Sequence, residues 1–146
     1  MSLSPDQQRS LRCIAGLMIP VSTAYQVPGA DDPVIFADIL ASLGMDTADT
    51  IKALAALDAI AGGVFADQTA TAQNDAAARL RDAGGPEVLS MGRVILQCYY
   101  RDDRVVRSLN LEARPPFPLG RTLAQGDWSL LDPVRARPKF YREAPE

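Results

Sequence analysis

Histidine is missing altogether from this chain of 146 residues. Its absence removes the commonest general base, the commonest metal ligand and every Ser-His or Cys-His nucleophile pair. Cysteine is nearly missing too, with Cys13 and Cys98 the only two. That is too few for a Cys-rich zinc or iron–sulfur site. The two fall far apart in helical patterns and read as buried free thiols; a disulfide would call for an oxidising compartment. No apolar run approaches the roughly eighteen residues that a membrane span requires. No glycine-rich run follows a strand, which leaves out the dinucleotide fingerprint and the phosphate loop. No stretch alternates with a period of two, so no strand is predicted, and no internal repeat is found. A basic excess is lacking as well. The net charge is −3 and the pI about 4.9, which argues against nucleic-acid binding because neutralising phosphates needs a basic surface.

What is present fits one globular domain. A chain of this length buries roughly two thirds of its unfolded surface and needs no metal or disulfide staple. The charge is uneven. Residues 1–97 hold Arg9, Arg12, Lys52, Arg79, Arg81 and Arg93 against a larger set of acids, while the remainder carries more bases than acids. An acidic body with a mildly basic tail suits a partner that has acidic patches of its own. The opening MSLSPDQQRS has neither a basic stretch followed by an apolar one nor a twin-arginine pair. The expected location is therefore cytoplasmic, or periplasmic only if the chain is exported with a signal-bearing partner.

The expected fold is all-α: a compact bundle of about five helices over 1–111, then a long irregular arm over 112–146. Ser4 is an N-cap, with Pro5 at the first helical position and Gln7 completing a capping box. Leu11, Ile14, Ala15 and Met18 form the stripe of that helix, and Pro20 stops it. The loop VSTAYQVPGADD holds the turn dipeptide Pro28-Gly29. Asp32 caps the next helix, Pro33 opens it, Phe36, Ile39, Leu40 and Leu43 line it, and Gly44 ends it. A long Ala-rich helix then opens at Asp46 or Thr47 and runs through Ile51, Leu54, Leu57, Ala61 and Phe65. Its Gly62-Gly63 pair either kinks it or admits another backbone. Thr69 to Asp82 is expected as a thin surface helix anchored by Leu80. Pro86 starts VLSMGRVILQCYY, which is apolar nearly all round and is expected at the centre. Asp102 or Asp103 caps a last helix, Arg104 to Leu111.

The arm reads EARPPFPLGRTLAQGDWSLLDPVRARPKFYREAPE, with no helical or strand period. Its prolines at 115, 116, 118, 133, 138 and 145 break every window in which a helix would grow. Phe117, Trp128, Leu130, Leu131, Phe140 and Tyr141 are nevertheless too much apolar surface for a solvated tail. With Arg114, Arg121, Arg135, Arg137 and Arg142 between them, the composition matches the buried centres of protein interfaces. The expected partner-binding set is Arg114, Phe117, Trp128, Leu131, Arg135, Arg137, Phe140 and Tyr141. Either the arm lies on another protein or it packs back on its own body. In an extended stretch Arg135 and Arg137 share one side and suit carboxylates on a partner.

Three residues in the body are candidates for chemistry. Asp58 follows Ile51 by seven residues and faces inward as a perturbed acid or as a paired carboxylate. Tyr99 and Tyr100 line a ligand pocket or are core tyrosines with wet hydroxyls. These residues leave open a free-standing helical protein that binds a small ligand near Tyr99 and Asp58.

A set of motifs narrows the choice. LSPDQQRSL opens the first helix and Met18-Ile19-Pro20 ends it; Pro28-Gly29-Ala30-Asp31 precedes the second. Phe65 closes the long helix, Gln73 lies in the next, and CYYRDDRVVRSLNL ends the body. In this order and spacing, over roughly 4–111, the chain resembles the gluconate 2-dehydrogenase subunit 3 family. These are small subunits that accompany flavoprotein dehydrogenases of the glucose–methanol–choline type. PPFPLG and GDWSLLDPVRARP are similar to extensions of short family members. The resemblance implies a helical, non-catalytic accessory subunit. FAD would sit in the large partner, which oxidises an alcohol or sugar hydroxyl, and none in this chain. The small subunit would aid folding, stability or export of that partner. The family's frequent twin-arginine signal is not found here, and the family supplies no catalytic residue to carry over.

Overall fold

Proline and aspartate decide where most helices begin. The computed structural model describes residues 2–115, 117–121 and 125–140. The chain divides into two units, Met1–Ala113 and Arg114–Glu146. Among the described residues the regular structure is entirely helical, apart from one antiparallel bridge between Ser22 and Val27.

The first unit holds six α-helices. Helix α1, Pro5–Met18, starts at Ser4, whose hydroxyl accepts from the Gln7 N–H while the Gln7 side chain accepts from the Ser4 N–H. This capping box satisfies two of the donors that a helix start leaves open. Helix α2, Pro33–Ser42, is capped by Asp32 Oδ1, which accepts from the Val34 N–H at 3.0 Å and the Ile35 N–H at 3.4 Å. Gly44, at φ 44°, follows it into a short 3-10 turn, Gly44–Asp46. Then come α3, Thr47–Ala61, a second 3-10 turn, Phe65–Asp67, and α4, Ala70–Ala83, capped by Thr69. Helix α5, Pro86–Arg101, and α6, Asp103–Ser108, complete the unit.

The core forms where α3 packs on α4 and α5, and α5 on α2. Leu11, Ile39, Leu54, Leu57, Phe65 and Ile95 are fully buried. Each such side chain contributes roughly 1.5–3 kcal/mol by leaving water. Helix α4 buries only Ala76 and Leu80 fully in the core. It is a thin surface helix, as its composition suggests.

Four expectations change. The Ala-rich helix does not run through Phe65: Gly62 adopts φ 75° and ends α3, so Phe65 reaches the core from the following 3-10 turn. The pair Gly62-Gly63 is thus a terminator, not a kink. The stripe of α2 is centred on Ile35 and Ile39, with Phe36 and Leu40 at its edges, and Met18 on α1 is 42% exposed. Helix α5 buries one face through Met91, Val94, Ile95, Cys98 and Tyr99 but leaves Leu89 and Tyr100 exposed, so it is central and amphipathic. The last helix of the body is shorter than expected and stops at Ser108.

The second unit is not wholly irregular either. A 3-10 turn, Trp128–Leu131, leads into a single helical turn, α7, Asp132–Arg135. Pro133 sits at the first turn of α7, where its missing N–H costs nothing. A proline expected to break helix instead starts one.

Candidate partner-binding segment

The body puts its candidate chemical residues to structural use. Asp58 Oδ1 accepts the Phe65 N–H at 2.8 Å, and the Asp58 carbonyl accepts from Gly62 and Gly63. Its carboxylate therefore holds the turn that carries Phe65. Gln73 on α4 donates to the Phe65 carbonyl at 3.2 Å and the Ala66 carbonyl at 3.4 Å, while fully buried Ser10 accepts from the Ala66 N–H at 3.3 Å. Arg9 closes the outer side on Asp67 at 2.6 Å, and this pairing holds the Asp67 carboxyl below the usual carboxylate range. The turn is gripped from three helices at once.

Tyr99 is buried and its hydroxyl is raised above the usual value chiefly by that burial; Tyr100 stands edge-on to it, ring centroids 5.2 Å apart, and faces solvent. Neither tyrosine lines either of two open clefts on this unit. One, of about 350 Å³, lies among Leu3, Gln8, Leu40, Leu43 and Thr47. The other, of about 440 Å³, lies among Arg12, Cys13, Gly16, Leu17, Asp31 and Gln73. Beside it Arg12 donates to the Asp31 carbonyl at 2.9 Å and stacks over Phe36. Gly29 allows that loop to close: a Cβ there would lie 2.9 Å from the Val21 nitrogen. Cys13 and Cys98 are both free, and burial is the chief cause that raises both thiols above their ordinary values. Among the described residues no three His, Cys, Asp or Glu side chains lie close enough to hold a metal ion.

Ion pairs on the body tie helices together. Arg104 donates to Asp32 at 2.8 Å and Asp102 at 3.0 Å, so one guanidinium joins the N-caps of α2 and α6. Both carboxyls are held below their ordinary range chiefly by those hydrogen bonds. Arg101 on α5 pairs with Asp38 on α2 and also donates to the Ser42 hydroxyl.

The second unit is different. Phe117 is 87% exposed, Trp128 60% and Phe140 84%. Leu119, Leu130, Leu131 and Val134 are exposed as well. Its order comes from polar contacts instead. Arg114 donates to the Pro115 and Gly120 carbonyls, and Arg121 donates to the Arg114 carbonyl at 3.0 Å, which ties Arg114 to Gly120 and Arg121. Farther on, Asp127 accepts from the Ser129 N–H at 3.0 Å and from its hydroxyl at 2.6 Å, which starts the Trp128 turn and lowers the Asp127 carboxyl's affinity for its proton.

The structure brings Trp128, Leu131 and Arg135 into one short helical segment and sets Phe117 in a separate turn. Arg114 serves the turn. Arg135 pairs with Asp132 at 3.3 Å from within α7, so the extended alternation expected for Arg135 and Arg137 does not hold. Phe140 is exposed beyond α7, and Tyr141 lies outside the described residues. Leu119 and Val134 were missed as exposed apolar positions. For Val134 the signal was available: Asp127 before Ser129 and Pro133 in a first turn are helix-start residues. No protein-family model matches the chain, and neither a curated protein nor a solved structure does so.

Proposed function

We propose that the chain is a non-catalytic accessory subunit that binds the large FAD-containing subunit of an alcohol or sugar dehydrogenase. The observation that carries this reading is the exposure of Trp128, Phe117 and Phe140 in a segment ordered by its own polar contacts. Large aromatic rings beside arginines are the side chains that dominate binding energy at protein interfaces. Isolated exposed hydrophobics are ordinary, but a run of them on one arm marks an interaction site. The identity of the partner rests on the resemblance to gluconate 2-dehydrogenase subunit 3. Two of the residues that carry it, Phe65 and Gln73, meet in one hydrogen-bonded turn of an all-α body.

The mechanism is thermodynamic. A subunit that binds the folded flavoprotein and not its unfolded chain shifts that protein toward the folded state by mass action. FAD and the oxidation of the hydroxyl belong to the partner, and the pair works in the cytoplasm, or in the periplasm if the partner bears the export signal. Whether the neighbouring reading frame encodes a large flavoprotein is the first test of the reading, and co-expression with that flavoprotein is the second. The two should co-purify, and the flavoprotein's soluble yield should fall when this chain is omitted. Separate elution with unchanged flavoprotein yield and activity would refute it.

A further inference from the structure

The arm presents its apolar side chains from a helix rather than from an extended strand. Three residues complete a turn of 3-10 helix, so Trp128 and Leu131 lie above one another along one line. Leu130 is turned about 120° away from that line. One further turn brings Val134 and Arg135 to either side of the same line. Ser129 and Asp132 occupy the other side and are engaged within the arm, Ser129 with Asp127 and Asp132 with Arg135. The segment is therefore amphipathic over barely two turns.

Its charge is equally directional. Between 121 and 139 the bases are Arg121, Arg135, Arg137 and Lys139, and the acids are Asp127 and Asp132. Both acids already have partners inside the arm. Arg135 is paired with Asp132, and Arg137 and Lys139 follow, so the apolar line ends in a net positive charge. A complementary surface is an apolar groove with carboxylates at the end where α7 finishes.

We propose that residues 127–137 dock as a short helix on the flavoprotein subunit, Trp128 and Leu131 filling an apolar groove, Arg135 and Arg137 meeting carboxylates at its rim. This rests on the accessory-subunit reading. An extended arm would place Trp128 and Leu130 on one side and Leu131 on the other, because side chains alternate along a strand. Exposure alone also favours Leu130, at 73%, over Leu131, at 39%. Helical docking reverses that order.

The experiment measures the affinity of full-length variants for the flavoprotein freed of the parent chain. Trp128→Ala and Leu131→Ala should each weaken binding about tenfold or more, as central anchors do, and Leu130→Ala less than about threefold. Leu131→Met keeps the volume and should stay within about threefold of the parent. Charge reversal, Arg135→Glu with Arg137→Glu, should weaken binding about tenfold at low salt and less at high salt. Leu130→Ala weaker than Leu131→Ala would overturn helical docking while leaving the subunit reading intact. Charge reversal without effect would overturn the acidic rim. A parent chain that binds no flavoprotein overturns the docking and the subunit reading together.

Discussion

Phe65 and Trp128 are held by the same local device and end in opposite environments. Each opens a 3-10 turn, Phe65–Asp67 and Trp128–Leu131. Each turn is fixed by an aspartate that accepts a backbone N–H, Asp58 from Phe65 at 2.8 Å and Asp127 from Ser129 at 3.0 Å. Yet Phe65 is 0% exposed and Trp128 60%. The difference lies in what surrounds the turn. Ser10, Arg9 and Gln73 arrive from α1 and α4 to close over Phe65, whereas the Trp128 turn rests on contacts from its own neighbours in sequence. A turn's conformation is a local matter. Whether its aromatic becomes core or exposed surface depends on what distant parts of the chain supply.

The sharpest way to break the comparison is to truncate both rings. Phe65→Ala removes a fully buried ring gripped by three helices and should destabilise the protein by about 3–5 kcal/mol, measured by urea unfolding. Trp128→Ala should leave the same unfolding curve within about 0.5 kcal/mol. On the proposed function it should instead weaken binding to a flavoprotein partner by about 2 kcal/mol or more. Equal effects of the two substitutions on stability would mean that Trp128 is core as well, and the distinction would collapse.

The same contrast shows how far the sequence could be read. Helix starts were legible because the signals are local: Ser4 with Gln7, Asp32 with Pro33, Thr69, Pro86 and Asp102 all act within a few residues. The fate of Phe65 was not. It continues the spacing of Ile51, Leu54, Leu57 and Ala61, so periodicity alone extends the helix to it. Gly62 breaks the helix at φ 75°, and the turn then folds Phe65 back to the same core. Helix α5 misled in a related way. Its apolar residues run nearly all round, but the body covers only the side of Met91, Val94, Ile95 and Cys98. In the arm, proline content hid a helical turn because Pro133 falls at a permitted position. Composition points to Trp128 and Leu131. It does not point to Val134, whose exposure follows from that turn.

Hydroxyl groups sharpen the comparison at smaller scale. Thr50 is fully buried within α3, and its Oγ1 has no hydrogen-bond partner. An unsatisfied buried hydroxyl costs free energy, and a methyl group of the same shape removes that cost. Thr50→Val should therefore stabilise the body by about 1 kcal/mol. Ser129 is the counterpart in the arm: its hydroxyl donates to Asp127 at 2.6 Å in an exposed setting. Ser129→Ala should change global unfolding by less than about 0.5 kcal/mol. Destabilisation by Thr50→Val would show that the hydroxyl is satisfied in solution.

Carboxylates extend the contrast to acid. Asp32 and Asp102 are held below their ordinary range chiefly by hydrogen bonds from Arg104, and both cap helices of the body. A carboxyl whose pKa is lower in the folded state than in the unfolded one binds fewer protons when folded. Its stabilisation is fully present above the unfolded value, near pH 4, and is lost as pH falls through the lower folded value. The Asp127 carboxyl in the arm is lowered in the same direction by Ser129, but it holds only a local turn. Acidification from pH 5 to pH 3 should therefore destabilise the body through its caps. In Arg104→Met the loss over that interval should be smaller, because much of the cause of the lowered values is gone. At pH 7 the same substitution should cost only about 0.5 kcal/mol, since the pair is solvent-screened, with the Arg104 side chain 43% exposed. Urea midpoints at pH 7, 4 and 3 for both proteins decide the matter. Parallel acid losses in the parent and in Arg104→Met would place the acid sensitivity elsewhere in the body, away from the clamp between α2 and α6.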